Sequence, residues 1–239
     1  MEIRLYIWYV GFSLKTCNAV DRTFYDAINT DEIKEDQVIK YLWAIIFGLV
    51  LVWSGVAPKD QFTWVLEVIP AIIGAVILAA TFQSFRLTPL VYVLILIHCI
   101  ILMVGGHYTY AEVPLFDYLG EFFGSSRNNY DKVGHFAQGF VPALIVREII
   151  LRKRVVRGRM WQFIFVVSFC LAFSAFYELV EWWVAVATGD NAEAFLGTQG
   201  YVWDTQSDMG MALLGAIAGL LTMGRLHDRQ LEKLNNHRF

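Results

Sequence analysis

Residues 160–187 read "MWQFIFVVSFCLAFSAFYELVEWWVAVA", and the only charged residues in this stretch are Glu178 and Glu181. A helix needs about 20 mainly apolar residues to cross a bilayer, and this stretch is long enough to do so. It therefore predicts a transmembrane helix. Ionisable side chains inside such a helix usually face the interior of a bundle or a wet cavity, so the two acids, one turn apart, indicate a polar centre inside the protein.

The composition of the whole chain favours the same class. Its 239 residues are 57% hydrophobic and 17% charged, whereas a soluble domain carries about 25% charged residues. The charges are also clustered, which leaves long uncharged windows between them. We therefore expect an all-α protein, a polytopic transmembrane helical bundle, and exclude a soluble globular domain.

Other apolar stretches raise the expected number of spans to about six. The last one is short and rich in small residues, which let a helix pack closely against its neighbours. The predicted organisation is a polar or interfacial lead-in at residues 1–37, a bundle at 38–224 and a basic cytoplasmic tail at 225–239. The additional spans are expected at residues 41–57, 62–85, 87–106, 130–150 and 208–221.

Lysine and arginine predict the orientation of the bundle. Basic residues crowd the connection before the 160–187 span, whereas residues 188–207 after it contain no Lys or Arg. Because cytoplasmic loops carry the excess of positive charge, we expect a multi-pass protein of the bacterial inner membrane with both termini in the cytoplasm. A topology signal explains the basic run better than binding to nucleic acid, which we do not expect as a partner. The run consists of Arg152, Lys153, Arg154, Arg157 and Arg159.

With this orientation, polar residues from separate spans reach the outer leaflet together. Asp131 and His135, and likewise Asp204 and Asp208, are four residues apart and lie on the same side of a helix. Each pair can therefore point into a common interior. The full set at this level is His107, Asp131, His135, Glu178, Glu181, Asp204 and Asp208.

Carboxylates that are this close do not all stay ionised without a cation, since like charges oppose one another's ionisation. Basic partners, shared protons or a metal ion would each solve the problem, and Lys132 and Arg127 are too few to neutralise the set. Carboxylate oxygens together with imidazole nitrogens suit Zn²⁺, Mn²⁺ or Fe. We therefore favour a divalent metal ion. The expected ligands are His107, Asp131, His135, Glu178, Asp204 and Asp208.

Structural explanations for the same residues stay open at this point. Asp131 or Asp208 could cap the start of its own helix, and His135 could be an interior histidine that is merely hydrogen-bonded. Glu178 and Glu181 have no capping role inside a span. The functional reading is therefore strongest for this pair.

Three segments resemble a known family when they are taken together. "DKVGHF" at 131–136, "ELVE" at 178–181 and "DTQSDMGMALLGAIAG" at 204–219 resemble the VanZ-like membrane proteins over about residues 105–224. The chain from about Tyr41 onward is similar to the YjdF-type bacterial inner-membrane proteins. The resemblance implies a link to the cell envelope and to glycopeptide (teicoplanin) resistance, without a settled reaction. The positions that match its polar signature are Asp131, Lys132, His135, Glu178, Asp204 and Asp208.

The sequence departs from this family at two places. The family often has a glutamine after the acid of the penultimate span, and here Glu181 stands near that position. It often has an asparagine in the last helix, where this chain has Met211 and Ala212. A role that depends on those amides is not expected here.

The predicted function is that of a hydrolase or transferase acting on a lipid or a lipid-linked, phosphorylated envelope intermediate. Glu178, Glu181 and Lys132 are the expected catalytic residues, and Lys132 or Arg127 would contact the phosphate. Two alternatives stay open: a proton- or ion-coupled transporter that uses the same carboxylates, and a non-catalytic envelope partner protein. In each case membrane lipids surround the bundle.

Overall fold

A computed structural model describes residues 39–189 and 193–236. The predicted lead-in at residues 1–37 lies outside these ranges. All regular secondary structure in the described ranges is helical. The helices are α1 (Ile39–Gly55), α2 (Gln61–Thr81), α3 (Pro89–Tyr108), α4 (Pro114–Phe123), α5 (Tyr130–Lys153), α6 (Arg159–Thr188), α7 (Glu193–Leu196) and α8 (Asp204–Asn236).

Five of these helices, α2, α3, α5, α6 and α8, are long and apolar enough to cross a membrane. The expected all-helical membrane architecture is therefore confirmed for the described part of the chain. α1 is also apolar but shorter than these five, so the sixth span and the orientation of the termini stay predictions. The packing discussed below lies within Phe47–Phe239, which forms one compact unit.

Local sequence signals explain several helix boundaries. The Asp60 side chain accepts a hydrogen bond from the Thr63 backbone N–H at 2.6 Å and so caps the start of α2. α3 and α4 each begin at a proline, which suits the first turn because no backbone N–H is needed there. After α3, Thr109 adopts a left-handed conformation with a φ of 59°. The chain thereby turns out of the span toward the short helix α4.

The last helix is longer than the sequence indicated. The expected span covered residues 208–221 and the expected tail began at 225, but α8 runs without a break from Asp204 to Asn236. A single rigid element therefore carries Asp204 and Asp208 near one end and His227 near the other.

α5 and α8 form the closest helix pair in the described structure, and they run parallel. A Cβ added at Gly139 of α5 would overlap the backbone carbonyl of Ala212 in α8, and one added at Gly215 would overlap the carbonyl of Phe136. Only glycine allows the two backbones to approach this closely, which is the usual role of small residues between membrane helices. The pair places the first turns of both helices side by side.

Candidate functional site

Most of the polar residues predicted from the sequence gather where α5 and α8 begin, next to the C-terminal part of α6. Asp131 lies in the first turn of α5, and Asp204 lies in the first turn of α8. The start of a helix carries a partial positive charge that favours carboxylates. Two parallel helix starts therefore create a favourable position for a group of acids, which we call the polar centre.

Three side chains of the polar centre have the arrangement of a metal site. Asp131, His135 and Asp208 are buried, and each offers one ligand atom such that the three atoms lie within 4.8 Å of one another. The His135 Nε2 atom is 3.3 Å from Asp131 Oδ1 and 4.0 Å from Asp208 Oδ1. Among the described residues, no backbone N–H at the start of α5 or α8 donates a hydrogen bond to either aspartate. Capping therefore does not account for their position.

The orientation of the His135 ring is set by Gln138. The Nδ1 atom of His135 is 3.1 Å from the Gln138 side-chain oxygen, and this acceptor favours the tautomer in which Nδ1 carries the proton. Nε2 then faces two carboxylates. Because a bare nitrogen lone pair would repel them, this nitrogen needs either its own proton or a metal ion. Such outer hydrogen bonds typically fix the tautomer of a histidine that binds a metal.

Lys132 and Arg127 lie on the side of the polar centre that faces the loop before α8. The Lys132 Nζ atom lies 2.5 Å from Asp208 Oδ1, 2.8 Å from Asp204 Oδ1 and 3.5 Å from Asp131 Oδ2. Arg127 donates to Asp204 Oδ1 at 2.5 Å and to the Thr198 carbonyl oxygen at 2.5 Å. These two cations therefore hold three aspartates together and fasten the loop before α8 over them.

Glu178 and Glu181 extend the polar centre along α6. Glu178 is buried, and its Oε1 atom is 3.8 Å from His135 Nδ1. Glu181 is close enough for its charge to act on Glu178 and His135. The predicted pair therefore faces the same interior as Asp131 and Asp208, as its spacing indicated.

Glu67 of α2 adds a further buried carboxylate from a fourth helix. The Tyr177 hydroxyl donates to Glu67 Oε2 at 3.5 Å, and the Tyr177 ring lies 6.5 Å from the His135 ring. Tyr177 therefore stands between His135 and Glu67. A single acid in a span has no spacing partner, so its position in the sequence does not reveal its direction.

Several buried polar atoms of the polar centre have no hydrogen-bond partner among the described residues. They include one carboxylate oxygen each of Asp131 and Glu178 and the Nε atom of Arg127. Buried polar atoms are nearly always paired in proteins, and an unpaired one needs an explanation such as a bound ion or ligand. Lys132 and Arg127 lie 3.5 and 3.7 Å from Asp131 Oδ2, and a cation in direct contact would satisfy both carboxylate oxygens. The Arg127 N–H would be satisfied by an acceptor on a ligand.

His107 is not part of this group in the structure, although the sequence predicted it as a ligand. Its Nδ1 atom is 2.9 Å from the Ser54 carbonyl oxygen, and its ring packs on Trp53 with centroids 4.7 Å apart. No contact with Asp131 or His135 is present. The residue lies near the correct end of α3, but its side chain serves to connect α3 with α1.

A second charged cluster, which sequence reasoning missed, links α5 and α8 near their other ends. Glu148 and His227 are both fully buried, and the His227 Nε2 atom is 3.0 Å from Glu148 Oε2. Glu148 also accepts hydrogen bonds from Arg152 at 2.6 Å and from the Thr88 hydroxyl at 2.9 Å. His227 lies beyond the expected end of the last span, so no signal paired it with Glu148. Because each member has a partner, this cluster serves structure and is no open site.

Fold and site together define a multi-pass helical membrane protein with a buried, acid-rich centre. Residues 39–229 match the family described as "Predicted membrane protein (DUF2238)", and the chain belongs to this family. It is also 52% identical over 190 residues to the inner membrane protein YjdF of Escherichia coli (strain K12), covering 80% of this chain and 91% of that protein. The expected YjdF-type relationship and the multi-pass inner-membrane location are thereby confirmed. No solved structure matches the chain.

Proposed function

We propose that the polar centre binds a divalent transition-metal ion through Asp131, His135 and Asp208. The observation that carries this proposal is the grouping of three buried ligand atoms within 4.8 Å of one another. Glu178 Oε1, 3.8 Å from His135 Nδ1, has no hydrogen-bond partner among the described residues. Two carboxylates and one imidazole leave positions for water or substrate, as catalytic metal sites do. Zn²⁺, Mn²⁺ and Fe²⁺ suit this ligand set.

The charge balance supports a cation in addition to the two basic side chains. Lys132 and Arg127 are already engaged by aspartates. Glu67, Glu178 and Glu181 add three further acids near this group, and Glu178 Oε1 lies 3.8 Å from His135 Nδ1. A buried charge without a partner is strongly unfavourable, so a metal ion beside His135 would stabilise the ionised form of this group.

Metal analysis of the purified protein tests this proposal. The protein is stripped with a chelator, reloaded separately with Zn²⁺, Mn²⁺ or Fe²⁺, and analysed by mass spectrometry of the metal. We expect stoichiometric binding of one of these ions by the unmodified protein and its loss in His135→Ala and Asp208→Asn. His107→Ala is the matched control and should retain the ion. Equal metal content in all four proteins, or none above background, would overturn the proposal.

For the reaction, we propose hydrolysis of a phosphate ester on a lipid or lipid-linked substrate. Asp131, His135 and Asp208 would hold the metal ion, which when bound would supply Lewis acidity toward water and phosphate. Glu178 would accept a proton from the attacking water. The oxygen of the water forms a new bond to phosphorus, the bond to the leaving oxygen breaks, and the leaving oxygen takes up the proton that Glu178 accepted. The unpaired Arg127 N–H would donate to the phosphate, and Lys132 would hold the aspartates. The VanZ-like resemblance of these motifs supports an envelope substrate and is itself a proposal.

A polyprenyl monophosphate in mixed micelles with the metal-loaded protein is a direct probe of this reaction. We expect release of inorganic phosphate, and a fall of about 10²–10⁴-fold in Glu178→Gln with the bound metal unchanged. Absence of release with each of the three ions would refute the hydrolase assignment and leave metal binding to its own test. An unchanged rate in Glu178→Gln would refute the role of Glu178 alone.

One observation favours a second candidate, a proton- or ion-coupled transporter. The acids continue from His135 past Tyr177 to Glu67 on another helix, and chains of this kind carry protons in pumps and transporters. Reconstituted vesicles with a pH gradient and an enclosed pH dye test it. If protein that contains no metal carries a proton flux, and Glu67→Gln abolishes this flux, the result would favour the transporter over the metalloenzyme.

We propose six spans with both termini in the cytoplasm and the polar centre near the periplasmic face. The support is that the basic residues 152–159 follow the end of α5 opposite to the polar centre, in line with the positive-inside rule. Cysteine labelling in intact cells checks the orientation. A membrane-impermeant reagent should label Ser126→Cys and not Arg157→Cys, and the reverse pattern would contradict the proposal.

A further inference from the structure

We propose that α4 lies in the plane of the membrane interface, with one side of the helix in contact with phospholipid. The helix has 10 residues, too few to cross a bilayer. Its apolar face, which we define as Leu115, Tyr118, Phe122 and Phe123, is exposed to 63%, 66%, 73% and 76%. Aromatic side chains this exposed in one short helix mark an interaction surface.

The three sides of α4 are chemically distinct. One side packs on the protein, where the Phe116 ring lies 5.2 Å from the Tyr130 ring and Gly120 is buried. Asp117 and Glu121, four residues apart, form a second side that is exposed. At about 100° per residue, Asp117 points about 100–160° away from Leu115, Tyr118 and Phe122. Glu121 points about 120° away from Leu115 and about 100° away from Phe122, and it borders Tyr118 at about 60°. A helix lying in the interface has this division, with its apolar side toward acyl chains and its charges toward water.

Short connections hold α4 at the level of the membrane surface. Residues 109–113 join it to the end of α3, and residues 124–129 join it to the start of α5. Both α3 and α5 are candidate spans, so α4 lies where they leave the bilayer. Exposed aromatic side chains mark the same end of other helices, namely Trp182, Trp183 and Trp203. Aromatic residues of this kind sit at the headgroup level in membrane proteins.

Phospholipid is the occupant that these observations favour over a second copy of the chain. The spanning helices themselves expose apolar side chains, for example Ile73, Val76 and Ile97, as expected for helices that contact lipid. The apolar face of α4 offers three large aromatic rings and no charge that would complement a partner. The surrounding acyl chains and headgroups are already present at this level in an inner-membrane protein.

Contact with lipid would also support the loop that covers the polar centre. The Asn128 side chain donates to Asp117 of α4 at 2.6 Å, and the Asn128 backbone exchanges hydrogen bonds with Gln199 at 3.0 and 2.9 Å. Gln199 belongs to the loop that Arg127 fastens through Thr198. α4 is therefore connected through hydrogen bonds to the loop that covers the polar centre.

Spin-label accessibility in vesicles tests the location of α4. The protein in which Cys17, Cys99 and Cys170 are replaced by serine is labelled at Phe122→Cys or, as the matched control one residue away, at Glu121→Cys. Both are reconstituted into vesicles of phosphatidylethanolamine and phosphatidylglycerol. Relaxation by oxygen and by a water-soluble nickel chelate then reports the depth of each label.

We expect the label at 122 to lie about 5–10 Å into the boundary between headgroups and acyl chains, and the label at 121 to lie in water. Equal exposure of both labels to the nickel chelate would overturn the proposal. Dipolar broadening between labels at 122 would overturn it in favour of a second copy. Leu115→Cys, on the same face, replaces Phe122→Cys if that variant does not fold.

Discussion

The buried Glu148 cluster gives a quantitative prediction about what holds the bundle together. Glu148 has no exposed surface, and its carboxylate accepts hydrogen bonds from Arg152, His227 and both the backbone and the hydroxyl of Thr88. The substitution Glu148→Ala removes the acceptor and leaves these donors buried without partners. The Arg152 charge also loses its closest counterion, 2.6 Å away.

The expected loss of stability follows from this geometry. Interhelical hydrogen bonds in membranes average about 0.6 kcal/mol, so the three from Thr88 and His227 contribute about 2 kcal/mol. Breaking a buried ion pair by removing one partner costs about 3–5 kcal/mol. The free energy of unfolding should therefore fall by about 2–5 kcal/mol. Because each kcal/mol shifts the melting temperature of a chain of this size by about 2–4 °C, the melting temperature should fall by at least about 4 °C.

Thermal unfolding in a mild detergent, followed by circular dichroism, measures this shift. Glu232→Ala is the matched control, since Glu232 lies near the same end of α8 and is exposed; it should change the melting temperature little. Glu148→Gln keeps the shape but turns one acceptor into a donor, so an intermediate loss is expected. If Glu148→Ala and Glu232→Ala melt together, the reasoning about this cluster is refuted.

Two further predictions concern the close contact between α5 and α8 and the loop before α8, which covers the polar centre. Gly139→Ala should lower the melting temperature, because its Cβ would overlap the Ala212 carbonyl and overpacking of this kind costs about 1–3 kcal/mol; Gly210→Ala, at an open helical position, should be neutral or slightly stabilising. A lower melting point for Gly210→Ala than for Gly139→Ala would contradict this. Arg127→Gln removes the hydrogen bonds to Asp204 and to the loop before it, so chymotrypsin should cut that loop faster in detergent, and an unchanged cleavage rate would show that Arg127 does not hold it.

The sequence predicted the bundle and most of the polar centre for a physical reason. Long apolar windows specify spanning helices, because in lipid the backbone N–H and C=O groups must form their hydrogen bonds within the protein, and a helix does this within one segment. Pairs of polar residues at helical spacing specify a direction within each span. Asp131 with His135 and Glu178 with Glu181 therefore converge as expected, since a charged side chain inside a span has only the protein interior as a favourable surrounding.

The misses come from features that such spacing does not encode. His107 lies at the expected end of its helix, but the carbonyl of Ser54 in another helix determines which way its ring points. His227 and Glu148 are far apart in the chain, and the hydropathy window ended before His227. The amphipathic character of α8 continues past its apolar segment, so the helix extends where a tail was expected.

The close contact at Gly139 and Gly215, the polar centre and the Glu148 cluster all join α5 to α8, and together they fix the register of the two helices. Asp131 and Glu148 are 17 residues apart on α5, about 25 Å along the helix axis, and each cluster binds α8 at a matching position. A slip of one helical turn, about 5.4 Å, would separate Lys132 from Asp208 and Glu148 from His227 at the same time. The glycines between them bring the backbones close enough for side chains at both ends to meet. The geometry of the Asp131, His135 and Asp208 group thus depends on a long, rigid helix pair, which explains why fully buried ionic contacts occur so far from the polar centre.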